Sequence, residues 1–94
     1  MVLPKLFGVG RYVFFFWSNE SGEPIHVHVS IKRASTVSAK IWLTEDGDCI
    51  IADNTDVIPR SNVKGVLDII RDNHADICDR WKEHLGVDTI KFYA

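Results

Sequence analysis

Cysteine is scarce in this chain of 94 residues, which contains only Cys49 and Cys78. One falls in a strand-like segment and the other in a helix-like segment, and neither belongs to a Cys-x-x-Cys pair. The sequence therefore offers no disulfide framework and no cysteine spacing typical of a zinc site. We expect two reduced thiols.

Long apolar runs and an excess of basic residues are also absent. The aromatic run FFFW at 14–17 is far shorter than the roughly 20 residues that cross a bilayer. The N-terminal segment lacks the basic start, long apolar middle and small-residue cleavage site of a signal peptide. We therefore expect a cytoplasmic protein without a membrane partner. The formal net charge of -2 gives no strong overall attraction to nucleic acid, so any contact with RNA would depend on a local basic patch.

The composition favours one compact domain over 1–94, because 46% of the residues are hydrophobic, 26% are charged and no linker interrupts them. The first half has the period of β-strands. RYVFFFW at 11–17 is β-prone, while IHVHVSIK at 25–32 and VSAKIWLT at 37–44 alternate apolar and polar residues. Asp46-Gly47 favours a two-residue type I′ turn into a short strand at about 48–53. We place the strands within about 11–53.

The period changes to that of a helix in the second half. From about 62 to 85, apolar residues recur at steps of three and four, which is one stripe on a helix. Ser61 can serve as N-cap and Gly86 as the stop. Asn73 begins a second capping-box pattern, so one long helix and a pair broken near Asn73 both stay open. The short tail, 87–94, either adds an edge strand or lies unpaired.

Strands first and helices last predict an α+β fold. We expect an N-terminal antiparallel β-meander of three to five strands, with a C-terminal helix or helix pair packed on one face. The alternation assigns that face to the apolar residues of the strand at 25–32, which are Ile25, Val27, Val29 and Ile31.

The opposite face of the same strand carries His26 and His28, and pairing parity predicts their neighbours. Two registers across the next loop stay open. One sets His26 opposite Trp42 and His28 opposite Lys40, and the other sets His28 opposite Trp42. Lys40 and Trp42 neighbour the histidines in both registers.

A two-residue turn at Asp46-Gly47 extends this face to the following strand, pairing Leu43 with Ile50, Trp42 with Ile51, and Lys40 with Asp53. The face then collects His26, His28, Ser30, Lys40, Trp42, Ile51 and Asp53. The simplest interpretation is a sheet face in contact with water or with a partner, on which Lys40 and Asp53 form a cross-strand ion pair. If the face is open to water, truncation of His28 would cost under about 1 kcal/mol.

A His-x-His pair on a strand can bind zinc or iron only with a third ligand. Asp53 is two strands away, roughly 9 to 10 Å at the usual spacing, and Lys40 stands between as a repelling cation. A third ligand would have to come from the preceding loop, where Glu20 and Glu23 are the candidates. We expect no tightly bound metal and no cofactor.

A contact surface is the function that this face favours, because a cation beside an aromatic ring suits base stacking or the anchoring of a protein partner. Its residues would be His26, His28, Lys40, Trp42 and Asp53, with Phe14, Phe16 and Trp17 extending it if their strand leaves them uncovered.

An enzyme is the alternative: a small nucleotide- or RNA-processing hydrolase with His26 or His28 as general base. The nearby Lys40 charge would keep the base neutral. The run HVHVS resembles the signature of the histidine-triad nucleotide hydrolases, but Ser30 occupies the third histidine position and no Gly-rich loop leads into a helix.

The order of several short motifs carries a second resemblance. RYVFFFW, SNE, a proline before HVHV, AKIWL, DN at 72–73 and WKEHLG at 81–86 together resemble the bacterial family of small proteins known as domain of unknown function 4160, over roughly 7–86. Ile25 stands where a second proline is expected, and DTIKFYA extends past the usual end.

Many members of that family resemble one half of a two-gene pair. The resemblance therefore implies a small interaction module, a toxin-antitoxin-like component, whose partner is the product of an adjacent gene or a second copy of the chain. It supplies no catalytic residues to carry over.

Overall fold

The computed structural model of this chain describes residues 5–16, 22–35, 37–53 and 55–93. Its sheet has five antiparallel strands in the order β1 to β5, followed by a single 3-10 turn at Thr55–Val57 and two helices. The elements are β1 (Lys5–Val9), β2 (Tyr12–Phe15), β3 (His26–Ile31), β4 (Ala39–Leu43), β5 (Cys49–Asp53), α1 (Arg60–Asp72) and α2 (His74–Leu85). The α+β prediction is confirmed.

Strand β1 lies outside the strand region predicted from the sequence. It pairs with β2 through a two-residue loop, because Val9 lies opposite Tyr12. Gly10 adopts a φ of 59° at the first loop position, which is the position that a type II′ turn reserves for glycine. This hairpin turn was not recognised in the sequence, so its first strand was missed.

The hairpin between β4 and β5 differs by one residue from the predicted register. Thr44 N–H donates to Asp48 O at 3.0 Å, and Gly47 N–H donates to Thr44 O at 3.3 Å. The loop therefore has three residues, with Gly47 at a φ of 89°, the pattern of a type I turn followed by a left-handed residue.

As a result, Leu43 pairs with Cys49 and Trp42 with Ile50, while a bulge after these pairs restores Lys40 opposite Asp53. Two of the three predicted pairs are wrong for this reason. The third is correct.

One sheet face and the two helices enclose the hydrophobic core. Val27, Val29 and Ile25 are fully buried, and α1 contributes Val66 and Ile70 to the same cluster. Helix α2 adds Ile77 and Trp81. The assignment of the apolar face of β3 to the helices is therefore correct, with Ile31 half-buried at its end.

The helical segment divides into two helices at Asn73, one of the two predicted arrangements. The Asn73 side chain does not form a capping box; its Nδ2–H donates to Ile69 O at 2.8 Å. Ser61 is not the N-cap, because α1 begins at Arg60 directly after Pro59, whose ring restricts φ to a value compatible with a helix start. Gly86 ends α2 at a φ of 65°, as predicted.

Neither helix in the described part of the chain combines the length and apolarity needed to cross a membrane.

The C-terminal tail is not a strand over the described residues 87–93. It is attached to the sheet by one backbone bond, from Ile25 N–H to Lys91 O at 2.8 Å. Two aromatic contacts follow: Phe92 stacks on His74 at a centroid distance of 6.2 Å, and Tyr93 stacks on Trp42. The tail thus lies against the sheet end that carries Trp42.

An ion pair connects the β4–β5 hairpin to α1. Arg71 Nε donates to Asp48 Oδ1 at 2.6 Å, and Arg71 Nη1 donates to Asp68 Oδ1 at 2.8 Å. The hydrogen bond from Arg71, with a second from the Cys49 amide, holds the pKa of Asp48 below its usual 3.8. Lys64 and then Arg71 lower the pKa of Asp68 in the same way.

These depressed pKa values predict a pH dependence of stability. A carboxyl group with a lowered folded pKa stabilises the fold above its unfolded pKa, here 3.8, and this contribution is lost as pH falls through the folded value. We expect Arg71→Gln to lower the thermal midpoint at neutral pH, and the difference from the unmodified protein to shrink below pH 3.8.

The matched control is Arg33→Gln, which changes an exposed arginine for which the structure gives no ion pair to a described residue. Melts across the acid range should show little change for this variant. A midpoint difference for Arg71→Gln that is independent of pH would contradict the assignment.

Candidate functional site

The strands bring together the residues that the sequence places beside the histidines. His26 lies opposite Trp42 and His28 opposite Lys40, which is the first of the two registers left open. Lys40 also has Asp53 as its backbone partner on β5. Ile51, expected on this face, lies opposite Ile41 on the helix side, and Ile50 takes its place opposite Trp42.

The histidines themselves are not on an open surface. His26 is fully buried and His28 is 8% exposed, so the expectation of a face in contact with water is wrong for these two residues. Among the described residues, the His26 ring contacts His28 at a centroid distance of 5.0 Å, and Trp42 and Trp81 at 5.3 Å each. Trp81 belongs to α2, so this helix reaches the end of β3 and encloses the first histidine.

A hydrogen bond to the backbone orients the His26 ring. Its Nδ1 lies 2.8 Å from Pro24 O, and since a carbonyl only accepts, Nδ1 carries the proton. The His28 ring stacks on Phe15 at 5.6 Å, with an interplanar angle of 26°. Packing and one hydrogen bond therefore hold both rings in place.

Lys40 is the cation of the site, and Glu23 is its ion-pair partner; the expected pair with the Asp53 carboxylate lies outside the described side chains. Lys40 Nζ lies 2.5 Å from Glu23 Oε1 and 4.4 Å from the centroid of the Trp42 ring. Glu23 was a candidate third metal ligand; it instead neutralises the ammonium. Within the described residues, no group of three or more histidine, cysteine, aspartate or glutamate side chains is arranged to hold a metal ion.

The accessible part of this site is a small aromatic and cationic surface, which we call the Trp42 patch: Glu23, Lys40, Trp42, Ile50 and Tyr93. The Tyr93 ring stacks on the Trp42 ring at a centroid distance of 4.9 Å, with an interplanar angle of 2°. Tyr93 is 54% exposed and Ile50 is 42% exposed, whereas Trp42 and Lys40 are half-buried. The patch is thus a surface of packed side chains with an apolar centre and one ion pair beside it.

The predicted extension of this surface to Phe14 and Phe16 is wrong. Phe14 and Phe16 are fully buried members of the core, because β1 and α2 cover the strand: Phe7 stacks on Phe14, and Trp81 meets Phe16 edge-on. Trp17 and Glu20 lie outside the described residues.

Sequence reasoning missed Tyr93, which joins the patch, and a contact between His74 and Cys78. The His74 Nε2 lies 2.7 Å from Thr44 O, so Nε2 carries the proton and Nδ1 faces Cys78 Sγ at 3.7 Å. The spacing of four residues on one helix was the available signal. Burial raises the pKa of the Cys78 thiol, which does not favour a nucleophilic thiolate.

Comparison with known proteins assigns the chain to a family. The family model described as Domain of unknown function (DUF4160) matches residues 12–82. This chain belongs to that family, and the resemblance read from its motifs is confirmed. No curated protein and no solved structure matches the chain. The matched segment contains His26, His28, Lys40 and Trp42, whereas Tyr93 lies beyond its end.

Proposed function

We propose that this member of the DUF4160 family is a small interaction module that binds a partner protein through the Trp42 patch. The observation that carries the proposal is the arrangement of Trp42, whose ring is stacked by the exposed Tyr93 and approached by the Lys40 ammonium. Exposed Ile50 lies opposite it in the sheet. Tryptophan and tyrosine are enriched among the few residues that contribute most of the binding energy of protein interfaces.

Rigidity supports the same proposal. The Trp42 ring is held by Tyr93, Lys40 and the ring of His26 beneath it, so little side-chain entropy remains to be lost on binding. In this proposal the buried histidines support the patch from behind and do not touch the partner. The Lys40–Glu23 pair fixes the ammonium at the edge of the surface, where it contributes specificity more than affinity.

We further propose a toxin-antitoxin-like role in the bacterial cytoplasm, with the product of an adjacent gene as partner. The support is the two-gene arrangement that the family resemblance implies, together with the compact contact surface of the Trp42 patch. Contact with RNA through Lys40 and the exposed aromatic ring is the second candidate for this surface.

The hydrolase alternative stays a prediction, and the geometry is less favourable to it. His26 has no exposed surface and uses Nδ1 for Pro24, while His28 is stacked on Phe15. A general base has to come within hydrogen-bond reach of the proton that it removes. We therefore do not assign a catalytic role to either histidine.

The interaction proposal predicts which variants lose a partner. With the adjacent gene product co-purified and its affinity measured by calorimetry, Trp42→Ala should weaken binding by about 2 kcal/mol or more, roughly thirtyfold in Kd. Tyr93→Ala removes a ring that is 54% exposed and should weaken binding while leaving the thermal midpoint almost unchanged. Val37→Ala is the matched control, since Val37 is 67% exposed and outside the patch.

Unchanged affinity in both aromatic variants would show that the Trp42 patch is not part of the interface. An RNA-cleavage assay of the free protein distinguishes the hydrolase from the interaction module. A hydrolase should lose its cleavage rate in His28→Ala and retain it in Tyr93→Ala. Turnover with that pattern would replace the interaction module by an enzyme.

A further inference from the structure

An open cleft of about 400 Å³ lies between the β1–β2 loop and the first half of α1. Val9 on one side and Val66 and Ile69 on the other give it a largely apolar wall. None of the described residues that line it is acidic. Its volume falls within the range of small-molecule sites, about 300 to 1,000 Å³, and such sites combine an apolar wall with a few polar groups.

One hydrogen bond joins the two sides of the cleft and leaves a donor available. Asn62 Nδ2–H donates to the Tyr12 hydroxyl at 2.7 Å, and both residues line the cleft. Because the hydroxyl oxygen accepts this bond, its own proton can still be donated. For that proton, the structure gives no acceptor among the described residues. A ligand in the cleft can therefore accept a hydrogen bond from Tyr12.

Arg11 supplies the cation of the cleft. Its side chain is exposed, and its guanidinium carbon lies 5.9 Å from the centroid of the Tyr12 ring. The structure gives it no ion pair with a described residue. A guanidinium group binds one carboxylate through two parallel N–H···O bonds. The charge and the Tyr12 hydroxyl thus lie on the same side of the cleft, and both suit an anionic ligand.

The turn after β3 adds positive charge next to Arg11. Lys32 N–H donates to Arg11 O at 2.7 Å, and Arg33 N–H donates to Ile31 O at 2.9 Å. With a φ of 73° at Lys32, the second bond forms a γ-turn of the rare type. A positive φ is uncommon for lysine, and residues in such conformations concentrate at ligand sites. Lys32 and Arg33 are both exposed.

Gly65 keeps the helix side of the cleft open. It lies within α1, where alanine would be the better helix former. Packing does not require a glycine here, because a Cβ added at this position would meet no atom within 4 Å. A side chain at this position would instead take up space at the wall of the cleft.

We propose that this cleft binds a small organic carboxylate. The apolar body of the ligand lies against Val9, Val66 and Ile69, and its carboxylate accepts hydrogen bonds from the Arg11 guanidinium and the Tyr12 hydroxyl. A carboxylate is the group we commit to, because one guanidinium lines the cleft and its two parallel donors match one planar carboxylate.

This inference goes beyond the proposed function, because the cleft and the Trp42 patch share no residue. Tyr12 pairs with Ile31 at one end of β3, whereas Trp42 pairs with His26 at the other. The two proposals can therefore fail separately.

The test is a titration of the full chain with phenylacetate, followed by amide chemical shifts in NMR spectra. We expect the Gly10 and Gly65 amides to shift, with a Kd of about 1 to 10 mM for so small a probe. Phenylacetamide lacks the charge and acetate lacks the ring, so each should bind about tenfold or more weakly than phenylacetate.

Two variants test the two parts of the cleft. Arg11→Gln should weaken phenylacetate binding by about tenfold, to the level of phenylacetamide. Gly65→Leu should weaken it by a similar factor without lowering the thermal midpoint, because its Cβ meets no other atom. Lys64→Gln is the control for the lost charge, since Lys64 is an exposed cation on α1 and is not one of the residues that line the cleft.

Equal affinity for phenylacetate and phenylacetamide would overturn the proposal, as would a Kd that neither Arg11→Gln nor Gly65→Leu changes. Phenyl phosphate that binds about tenfold tighter than phenylacetate would overturn the choice of a carboxylate. If Gly65→Leu fails to fold in a thermal melt, Arg11→Gln decides the question, because Arg11 is exposed and its substitution leaves the core intact.

Discussion

Val27→Asp should abolish cooperative unfolding of this protein. Val27 is fully buried at the centre of the sheet, with Ile41 as its cross-strand partner, and the helices cover that face. A carboxylate there would be desolvated without a partner, which costs more than about 5 kcal/mol. This cost matches the whole stability of a small domain, about 5 kcal/mol at the low end. Circular dichroism on heating should show no native transition.

Val37→Asp is the control for this experiment, because it introduces the same carboxylate at a position that is 67% exposed. Its midpoint should stay close to that of the unmodified protein, within about 0.5 kcal/mol. A folded Val27→Asp protein would mean that the helices do not pack on this face of β3.

His26→Ala should destabilise the fold by about 2 to 4 kcal/mol, a range typical of large-to-small substitutions in a core. The substitution removes a ring enclosed by His28, Trp42 and Trp81, and the chain cannot collapse around three rigid rings. It also leaves Pro24 O without the bond from Nδ1, which adds to the cost. Denaturant unfolding measures the change directly.

His26→Phe divides that cost into its two parts. A phenyl ring retains most of the packing and loses the hydrogen bond, so this variant should lie between His26→Ala and the unmodified protein. A cost below about 0.5 kcal/mol for His26→Ala would show that the site is open to water. The estimate of under about 1 kcal/mol for His28→Ala depended on such an open face, and with His28 only 8% exposed that condition is not met.

The shifted register of the β4–β5 hairpin shows the limit of prediction from local sequence patterns. The alternation in β3 and β4 correctly sets Val27 opposite Ile41 and His26 opposite Trp42, because apolar faces have to coincide across a pair. The same reasoning was wrong beyond Asp46-Gly47, since both two-residue and three-residue loops accept glycine there. The count of loop residues decides which side of β5 faces the core, and the dipeptide does not determine that count.

By itself, the sequence determined the α+β class, the core face of β3, the helix end at Gly86, the neighbourhood of Trp42 and membership of the family. These depend on periodicity, turn residues and motifs, which act over a few residues. Only the tertiary structure decided that His26 is enclosed by Trp81, that Tyr93 stacks on Trp42, and that Glu23 neutralises Lys40. A strand pattern states which side chains share a face, but what covers that face depends on distant segments, and their positions follow from the packing of the whole core.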